Sequence, residues 1–125
     1  MRMKYNLKKI NLIEKFSRIH GYWDPKIIGE LNNQQVKIVK FKGEFDWHKH
    51  DGEDELFLVV KGEFDMQFRD RKTTLYKNDM IIVPRGVEHC PKATDEVHVL
   101  LFEPGSTLNT GNIKTDKTIS KPGTI

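Results

Sequence analysis

The sequence predicts an all-β fold, an antiparallel sandwich or barrel, preceded by one N-terminal helix. After residue 35 the chain consists of short runs that are rich in β-branched and aromatic residues. Turn-forming pairs such as Lys42-Gly43, Asp51-Gly52 and Lys61-Gly62 separate these runs. Because no helical pattern lies between the runs, the sequence favours six or seven antiparallel strands over a βαβ arrangement.

The composition is that of one globular domain. A chain of 125 residues, 37% hydrophobic and 31% charged, is long enough to bury a core. The net charge of +3 is small, and the lysines and arginines are scattered along the chain, so we expect no nucleic-acid partner. Cys90 is the only cysteine, and neither a secretory signal nor a membrane-spanning run is visible. We therefore expect a cytoplasmic protein that does not bind membranes.

The N-terminal region predicts an amphipathic helix over residues 6–19, because its apolar residues recur at three- and four-residue steps. Asn6 is the predicted N-cap and Gly21 the predicted end of the helix. We expect the helix to pack against the domain, and a basic helix on a membrane surface is the alternative. A short extended segment over 27–31 and a turn at Asn32-Asn33 follow.

Seven strands are predicted after this turn. They cover residues 36–41, 45–50, 55–60, 64–68, 73–76, 80–83 and 97–102. The polar tail, residues 109–125, is expected to be mobile or a weakly held surface strand, and a strand added to a neighbouring subunit is the alternative. The chain is thus divided into a helix and lead-in segment (1–30), a barrel (31–108) and a tail (109–125).

Three histidines and a glutamate form the candidate functional site. His48 and His50 lie two positions apart in a predicted strand, so their side chains share one face. An acidic turn follows, and Glu55 opens the next strand, which returns a carboxylate towards them. His89 follows a turn that contains proline and glycine. Imidazole and carboxylate groups are ligands that a divalent transition metal selects.

A metal site requires these four side chains to converge, which their spacing alone does not establish. A His-x-His pair on an exposed strand is otherwise ordinary surface. If the strands close into a barrel, the four groups meet in its interior, inside an apolar wall typical of a small-ligand cavity. The residues expected in that wall are Phe57, Phe64, Met66 and Phe68.

These motifs resemble those of the cupin superfamily. The first cupin motif appears as Gly43-(x4)-His48-x-His50-(x4)-Glu55-(x6)-Gly62, and the second as Pro84-Arg85-Gly86-Val87-Glu88-His89. Three departures affect no ligand. Asn78 or Asp79 replaces the glycine that usually opens the second motif, Ala93 replaces a trailing asparagine, and the first gap has four residues instead of five.

The resemblance implies a cupin-type double-stranded β-helix, a conical antiparallel barrel, often assembled as a homodimer. It also implies that His48, His50, Glu55 and His89 bind one divalent metal ion. From Glu55 to Asn112 the chain is similar to small single-domain cupins of the mannose-6-phosphate-isomerase-like group. That similarity is one of fold, so the isomerase activity is not carried over.

The donor set indicates the chemistry of such a site. Three neutral imidazoles and one carboxylate leave a divalent ion with a net charge of +1 and, in octahedral coordination, two open positions. Catalysis then favours Fe, Mn, Ni or Co over Zn, although Zn or Ni can enter by affinity. The leading hypothesis is an enzyme that oxygenates or isomerises a small polar metabolite. The alternatives are a non-catalytic module that binds a metabolite or metal, and a purely structural metal.

Such a reaction needs an acid or base beside the metal. Glu53, Asp46 and His98 are candidates, although a solvated or hydrogen-bonded structural role is favoured for each. Arg85 is a candidate partner for an anionic substrate, with decoration of an exposed turn as the favoured interpretation. Cys90 alternates away from His89 on a continuing strand and is not predicted to be a ligand.

Overall fold

A computed structural model describes residues 7–125, which form mostly antiparallel β-sheet with one small helix, as the sequence predicts. The elements are α1 Leu12–Phe16, β1 Lys26–Leu31, β2 Gln34–Glu44, β3 Glu55–Lys61, β4 Phe64–Phe68, β5 Lys72–Leu75, β6 Met80–Val83 and β7 His89–Pro104. The strands predicted over 64–68 and 80–83 have these same bounds in the structure.

Strand β7 connects the parts of the sheet. Its first residues pair with β4, and its later residues pair with β2 on one side and β3 on the other. β1 and β6 extend this arrangement to the order β1-β2-β7-β3-β6, while β5 pairs with β4. Because one strand has three neighbours along its length, the sheet curves around an interior that both cupin-like motifs reach.

Strand alternation directs one set of side chains into this interior. In β3, for example, Glu55, Phe57 and Val59 are buried while the residues between them are partly exposed. The buried apolar cluster consists of Val39, Phe41, Phe57, Val59, Phe64, Met66, Leu75, Val83, Ala93, Val97, Val99 and Leu101. Each large apolar side chain buried in this way stabilises the fold by roughly 1.5–3 kcal/mol.

Helix α1 is much shorter than the predicted helix over 6–19. Its N-cap is Asn11, whose side chain accepts a hydrogen bond from Glu14 N at 3.0 Å. The predicted cap, Asn6, lies outside the described residues. Asparagine caps a helix better than it continues one, so the turn starts at this position. Leu7 has φ 59°, which also excludes it from the helix.

The helix packs against the domain, as expected. Phe16 and Ile19 are buried with Ile28 and Ile38 in a second apolar cluster, which also contacts Leu100. This cluster lies on the opposite face of β7 from the main core, because Leu100 alternates with Val99 and Leu101. No helix in the described part of the chain is long and apolar enough to span a membrane.

The strand predicted over 45–50 is wrong. This segment forms a single bridge, between His48 and His89. Phe45 N donates to Pro91 O at 2.9 Å, but proline has no N–H to return the bond, so a regular ladder cannot form. The thiol of Cys90 donates to Phe45 O instead, at 3.3 Å. β7 in turn begins at His89, well before the predicted start at residue 97.

The expectation of a mobile tail is also wrong. Thr110 is fully buried, and its hydroxyl is 2.7 Å from the hydroxyl of Thr118. Asn112 exchanges two hydrogen bonds of 2.9 Å with the backbone of Lys49. The polar composition suggested solvation, but these groups pair with one another and with the barrel. The alternative expectation was a weakly held surface strand. The tail forms only one isolated β-bridge among the described residues, between Ile27 and residue 124.

Gly111 allows this docking, and its replacement is the first test of the fold. A Cβ at Gly111 would overlap the carbonyl oxygen of Lys49 and lie 3.2 Å from His48 Cδ2. We expect Gly111→Ala to lower the free energy of unfolding by about 2 kcal/mol or more, because the two backbones would have to separate. Chemical denaturation followed by circular dichroism measures this loss.

Gly43→Ala is the matched control. Gly43 also has a positive φ, +86°, but nothing lies within 4 Å of an added Cβ. Its replacement should therefore cause only the backbone strain of about 1–2 kcal/mol. If the two variants lost the same stability, the close approach of Gly111 to Lys49 would not be what docks the tail.

Candidate metal centre

Four buried side chains converge inside the barrel: His48, His50, Glu55 and His89. One ligand atom from each lies within 4.8 Å of the others, and no residue in this His/Glu cluster is more than 4% exposed. These are the residues that the sequence motifs singled out. The structure therefore brings together all four predicted ligands, in a cluster that could bind a metal ion.

Backbone hydrogen bonds join the two motifs. His48 and His50 lie on the irregular segment between β2 and β3, whereas Glu55 and His89 are the first residues of β3 and β7. His48 N donates to His89 O at 3.1 Å, and His89 N donates to His48 O at 2.9 Å. Gly86 N donates to His50 O at 2.7 Å. Backbone hydrogen bonds therefore fix the spacing of the imidazoles.

Two of the imidazoles are held in the tautomer that a metal needs. His48 Nδ1 lies 2.8 Å from Asp46 O, and His89 Nδ1 lies 2.9 Å from Val87 O. A carbonyl oxygen only accepts, so Nδ1 carries the proton in both rings. Each Nε2 is left with a free lone pair. Such carbonyl contacts are a common way to orient histidine ligands.

Several buried atoms of the cluster have no hydrogen-bond partner among the described residues. His50 Nε2 lies 3.2 Å from Glu55 Oε1 and His89 Nε2 lies 3.6 Å from it, but neither contact has hydrogen-bond geometry. The atoms without a partner include His50 Nδ1, His50 Nε2, Glu55 Oε1 and His89 Nε2. An unsatisfied buried polar atom costs about 1–3 kcal/mol. Nitrogen and oxygen lone pairs facing one another fit a bound cation.

The electrostatics of the cluster also fit a cation. Burial lowers the pKa of His48 to about 4, and the neighbouring His89 acts in the same direction. Burial alone would raise the pKa of Glu55, but its contacts with Glu103, His50 and His89 hold that pKa well below the usual range. At neutral pH, His48 is therefore neutral and Glu55 ionised, as metal binding requires.

Lys37 and Glu103 extend the cluster, and the sequence reasoning missed both. Lys37 Nζ donates to Glu103 Oε2 at 2.7 Å, and each side chain is 2% exposed. Burial and the charge of Glu55 raise the pKa of Glu103 well above its usual range, and Lys37 offsets this only in part. The raised pKa of Glu103 and the lowered pKa of Glu55 favour a proton on Glu103 beside an ionised Glu55.

Strand alternation is the signal that could have found this pair. Lys37 is in phase with the buried Val39 on β2, and Glu103 is in phase with the buried Leu101 on β7. A charged residue at an inward position of a strand must find a partner. Across the antiparallel β2–β7 pair, Lys37 faces Leu101, so Glu103 is its diagonal neighbour.

The acids and bases proposed from the sequence lie outside the cluster. Glu53 accepts a hydrogen bond from Ser106 Oγ at 2.9 Å. His98 stacks on Phe16 with ring centroids 4.6 Å apart, on the outer face of the sheet. Asp46 contributes its backbone carbonyl to His48, not its carboxylate. The carboxyl group that interacts with Glu55 is instead that of Glu103.

The other two residues weighed from the sequence also lie outside the cluster. Arg85 is exposed, and its backbone N donates to Asp54 Oδ1 at 2.9 Å. Cys90 is buried, and burial is the main cause that raises the pKa of its thiol to about 11. An unionised thiol that donates to a carbonyl oxygen is a packing residue.

An open pocket reaches the cluster from the side of His48 and Glu55. It encloses about 420 Å³, its solvent-open mouth included. The lining residues are Trp23, Pro25, Val39, Phe41, Phe45, His48, Glu55, Phe57, Pro91, Leu101, Glu103 and Asn109. Of the four wall residues predicted from the sequence, Phe57 lines the pocket. Phe64, Met66 and Phe68 pack in or against the core instead.

Known proteins share this architecture. The family model described as Cupin domain matches residues 36–103. The crystal structure of a cupin-2 domain containing protein from Shewanella frigidimarina superposes with a TM-score of 0.75 at 43% identity, covering 76% of this chain and 93% of that one. A protein from Neisseria meningitidis superposes with a TM-score of 0.72 at 30% identity, covering 78% of this chain and 100% of that one.

A curated relative matches a shorter segment. Uncharacterized protein YdbB of Bacillus subtilis is 43% identical over 63 residues, which are 50% of this chain and 56% of YdbB. The match thus spans about half of the length of each protein.

The lowered pKa of His48 predicts a pH dependence of the metal-free protein. Between about pH 6.5, the ordinary pKa of histidine, and about pH 4, His48 binds a proton in the unfolded chain but stays neutral in the folded chain. The stability due to this neutral ring is fully present above about pH 6.5. It falls by an amount on the order of 3 kcal/mol as the pH drops to about 4. Glu103, whose raised pKa favours proton uptake by the folded chain, acts in the opposite direction over the same range. The contribution of His48 is therefore the difference between denaturant titrations of chelator-treated native protein and of a His48 variant.

Two variants isolate the contribution of His48. His48→Gln removes the titrating ring, so the stability of this variant should fall less steeply between about pH 6.5 and about pH 4. His20→Gln alters an exposed histidine and should keep the native profile. An equally steep profile in His48→Gln would show that other groups cause the dependence.

Proposed function

The chain belongs to the cupin domain family, and we propose that it binds one divalent transition metal ion through His48, His50, Glu55 and His89. The observation that carries this proposal is the set of four buried ligand atoms within 4.8 Å of one another. Three of these side chains contain atoms with no hydrogen-bond partner in the described chain. Binding a cation would satisfy those atoms.

The donor set narrows the identity of the ion. Imidazole nitrogen and carboxylate oxygen suit Fe, Mn, Ni, Co and Zn. Zinc usually has four ligands, so four protein donors would leave it no coordination position for a small molecule. We therefore propose iron, manganese, nickel or cobalt, whose six-coordinate forms have two positions for a small molecule. When bound, the ion supplies Lewis acidity to an oxygen of that molecule.

We further propose that the protein is a metal-dependent enzyme, an oxygenase or an isomerase, acting on a small molecule in the pocket. The pocket adjoins His48 and Glu55, so a molecule inside it can reach the proposed ion. Glu103 also lines the pocket, anchored by Lys37, and is the carboxyl group best placed to exchange a proton with that molecule.

A module that binds a metabolite without turnover is the second candidate. Eight of the twelve residues that line the pocket are apolar, which suits binding as well as catalysis. Reconstitution with Fe(II), followed by measurement of oxygen uptake and of small carbonyl compounds, distinguishes the two candidates. Steady consumption of oxygen or substrate supports the enzyme, and stable binding without turnover supports the module.

Some finer expectations from the sequence stay predictions. These are the mannose-6-phosphate-isomerase-like group, the homodimer and the cytoplasmic location. No lysine or arginine is among the described residues that line the pocket, so a sugar phosphate would meet no side-chain cation there. We therefore do not propose activity on a sugar phosphate.

Metal stoichiometry tests the ligand assignment. After reconstitution and desalting, native protein should hold about one ion per chain, and His50→Ala should hold almost none, because one of four donors is lost. Elemental analysis measures the metal content. The apolar core should keep His50→Ala folded, which circular dichroism checks.

His20→Ala is the control for the loss of a histidine as such. His20 is exposed and lies outside the His/Glu cluster, so this variant should retain the native stoichiometry. Unchanged metal content in folded His50→Ala would overturn the assignment.

A further inference from the structure

The pocket wall includes residues from outside the segment that matches the family model. Trp23 and Pro25 precede residue 36, and Asn109 follows residue 103. The lead-in segment and the start of the tail therefore complete the wall in this chain. Residues in such flanking segments can determine which ligand a shared barrel accepts, because the barrel itself holds the metal-binding groups.

Trp23 is fixed in position by contacts on several sides. Its ring stacks on Phe41 with centroids 4.5 Å apart and packs on Phe45 at 4.8 Å. Its Nε1 donates to Lys42 O and its backbone N donates to Lys40 O, both at 2.9 Å. Its φ of 59° is rare for a residue other than glycine. The indole is therefore a rigid part of the wall.

The polar groups of the pocket lie at few positions. They are His48, Glu55, Glu103 and Asn109, and the other lining residues are apolar. The Asn109 amide is already engaged, because Nδ2 donates to Lys117 O at 2.8 Å and Oδ1 accepts from Ile119 N at 2.9 Å. A sugar or other polyol would leave most of its hydroxyl groups unpaired in this pocket.

The free space is also small. The volume within which the centre of a water molecule can move is about 40 Å³. That is room for a few atoms beyond one water molecule, which needs about 10–15 Å³ on the same measure. The large side chains that limit this space include Trp23, Phe41, Phe45 and Phe57.

This inference rests on the proposed metal site. We propose that the pocket binds a small acid that chelates the metal through oxygen atoms, namely a hydroxy or oxo acid with a short aliphatic body. Trp23 sets the upper size limit of this acid. The acid group and its neighbouring oxygen match the net charge and the open positions of the proposed ion. The aliphatic body matches the apolar wall. Trp23 is then a specificity-determining residue supplied by the lead-in segment.

Two probes with one chelating head test the size limit. Acetohydroxamate and benzohydroxamate both present a hydroxamate to the metal, but only the second carries an aromatic ring. We expect protein loaded with Co(II) to bind acetohydroxamate at least about tenfold more tightly, because Trp23 and the neighbouring aromatic side chains leave little free space for the ring. Calorimetry and the visible spectrum of bound Co(II) measure the two affinities.

Replacing Trp23 should shift this preference. In Trp23→Ala, the affinity for benzohydroxamate should rise about tenfold or more, while the affinity for acetohydroxamate changes less than about threefold. Trp23→Phe keeps an aromatic ring beside Phe41 and should give an intermediate shift in the relative affinity for the two probes. This variant also tests the size limit if Trp23→Ala does not fold. Trp47→Ala is the matched control, because Trp47 packs under Arg69, 4.0 Å away, and does not line the pocket.

The outcomes separate this inference from the metal site itself. If metal-loaded native protein bound both probes equally, or if Trp23 variants kept the native ratio, the size limit would be overturned and the metal site would stand. If elemental analysis found no metal in the reconstituted protein, the proposed function would fail and the inference with it.

Discussion

Desolvation of polar groups is the physical constraint on which the interior of this barrel depends. Removing a charged group from water costs several kcal/mol, so each buried group needs a partner. Lys37 pairs with Glu103, and burial together with the charge of Glu55 raises the pKa of Glu103. The groups under this constraint are Lys37, His48, His50, Glu55, His89 and Glu103. Once these pairs are made, the remaining lone pairs face one another in the His/Glu cluster, which is why a cation fits there.

The fold meets this constraint by joining irregular and regular backbone. Pro91 prevents a full ladder beside the segment that contains the histidines, yet the exchange of hydrogen bonds between His48 and His89 holds that segment in register. The tail then covers the segment from outside, with Gly111 against Lys49. The positions of His48 and His89 and the orientation of their rings are therefore set by contacts with the backbone, before any ion is considered.

Local patterns predicted the fold and the four residues of the cluster. Alternation in the strands, the turns at glycine and the spacing from His48 to Glu55 are read within short stretches of sequence. Alternation places Lys37 and Glu103 at inward positions, but their pairing depends on the register of β2 against β7, between residues far apart in the chain. The predicted helix was too long because Asn11, a residue type that strongly favours the N-cap position, lies within the periodic pattern of apolar residues.

The tail and Trp23 show a different limit of sequence reasoning. Composition predicts solvation for a polar segment, but it does not reveal that Thr110 pairs with Thr118 or that Asn112 pairs with Lys49. Trp23 lies in a lead-in segment without strand or helix periodicity, so no pattern related it to the pocket. Both features depend on contacts that form only after the barrel has closed.

Anomalous diffraction at the absorption edge of the bound metal would locate the ion in crystals of the reconstituted protein. We expect one strong peak at bonding distance, about 2 Å, from an imidazole nitrogen of His48, His50 and His89 and from a carboxylate oxygen of Glu55. A metal peak elsewhere on the protein, with none at the His/Glu cluster, would show that these four residues are not the ligands.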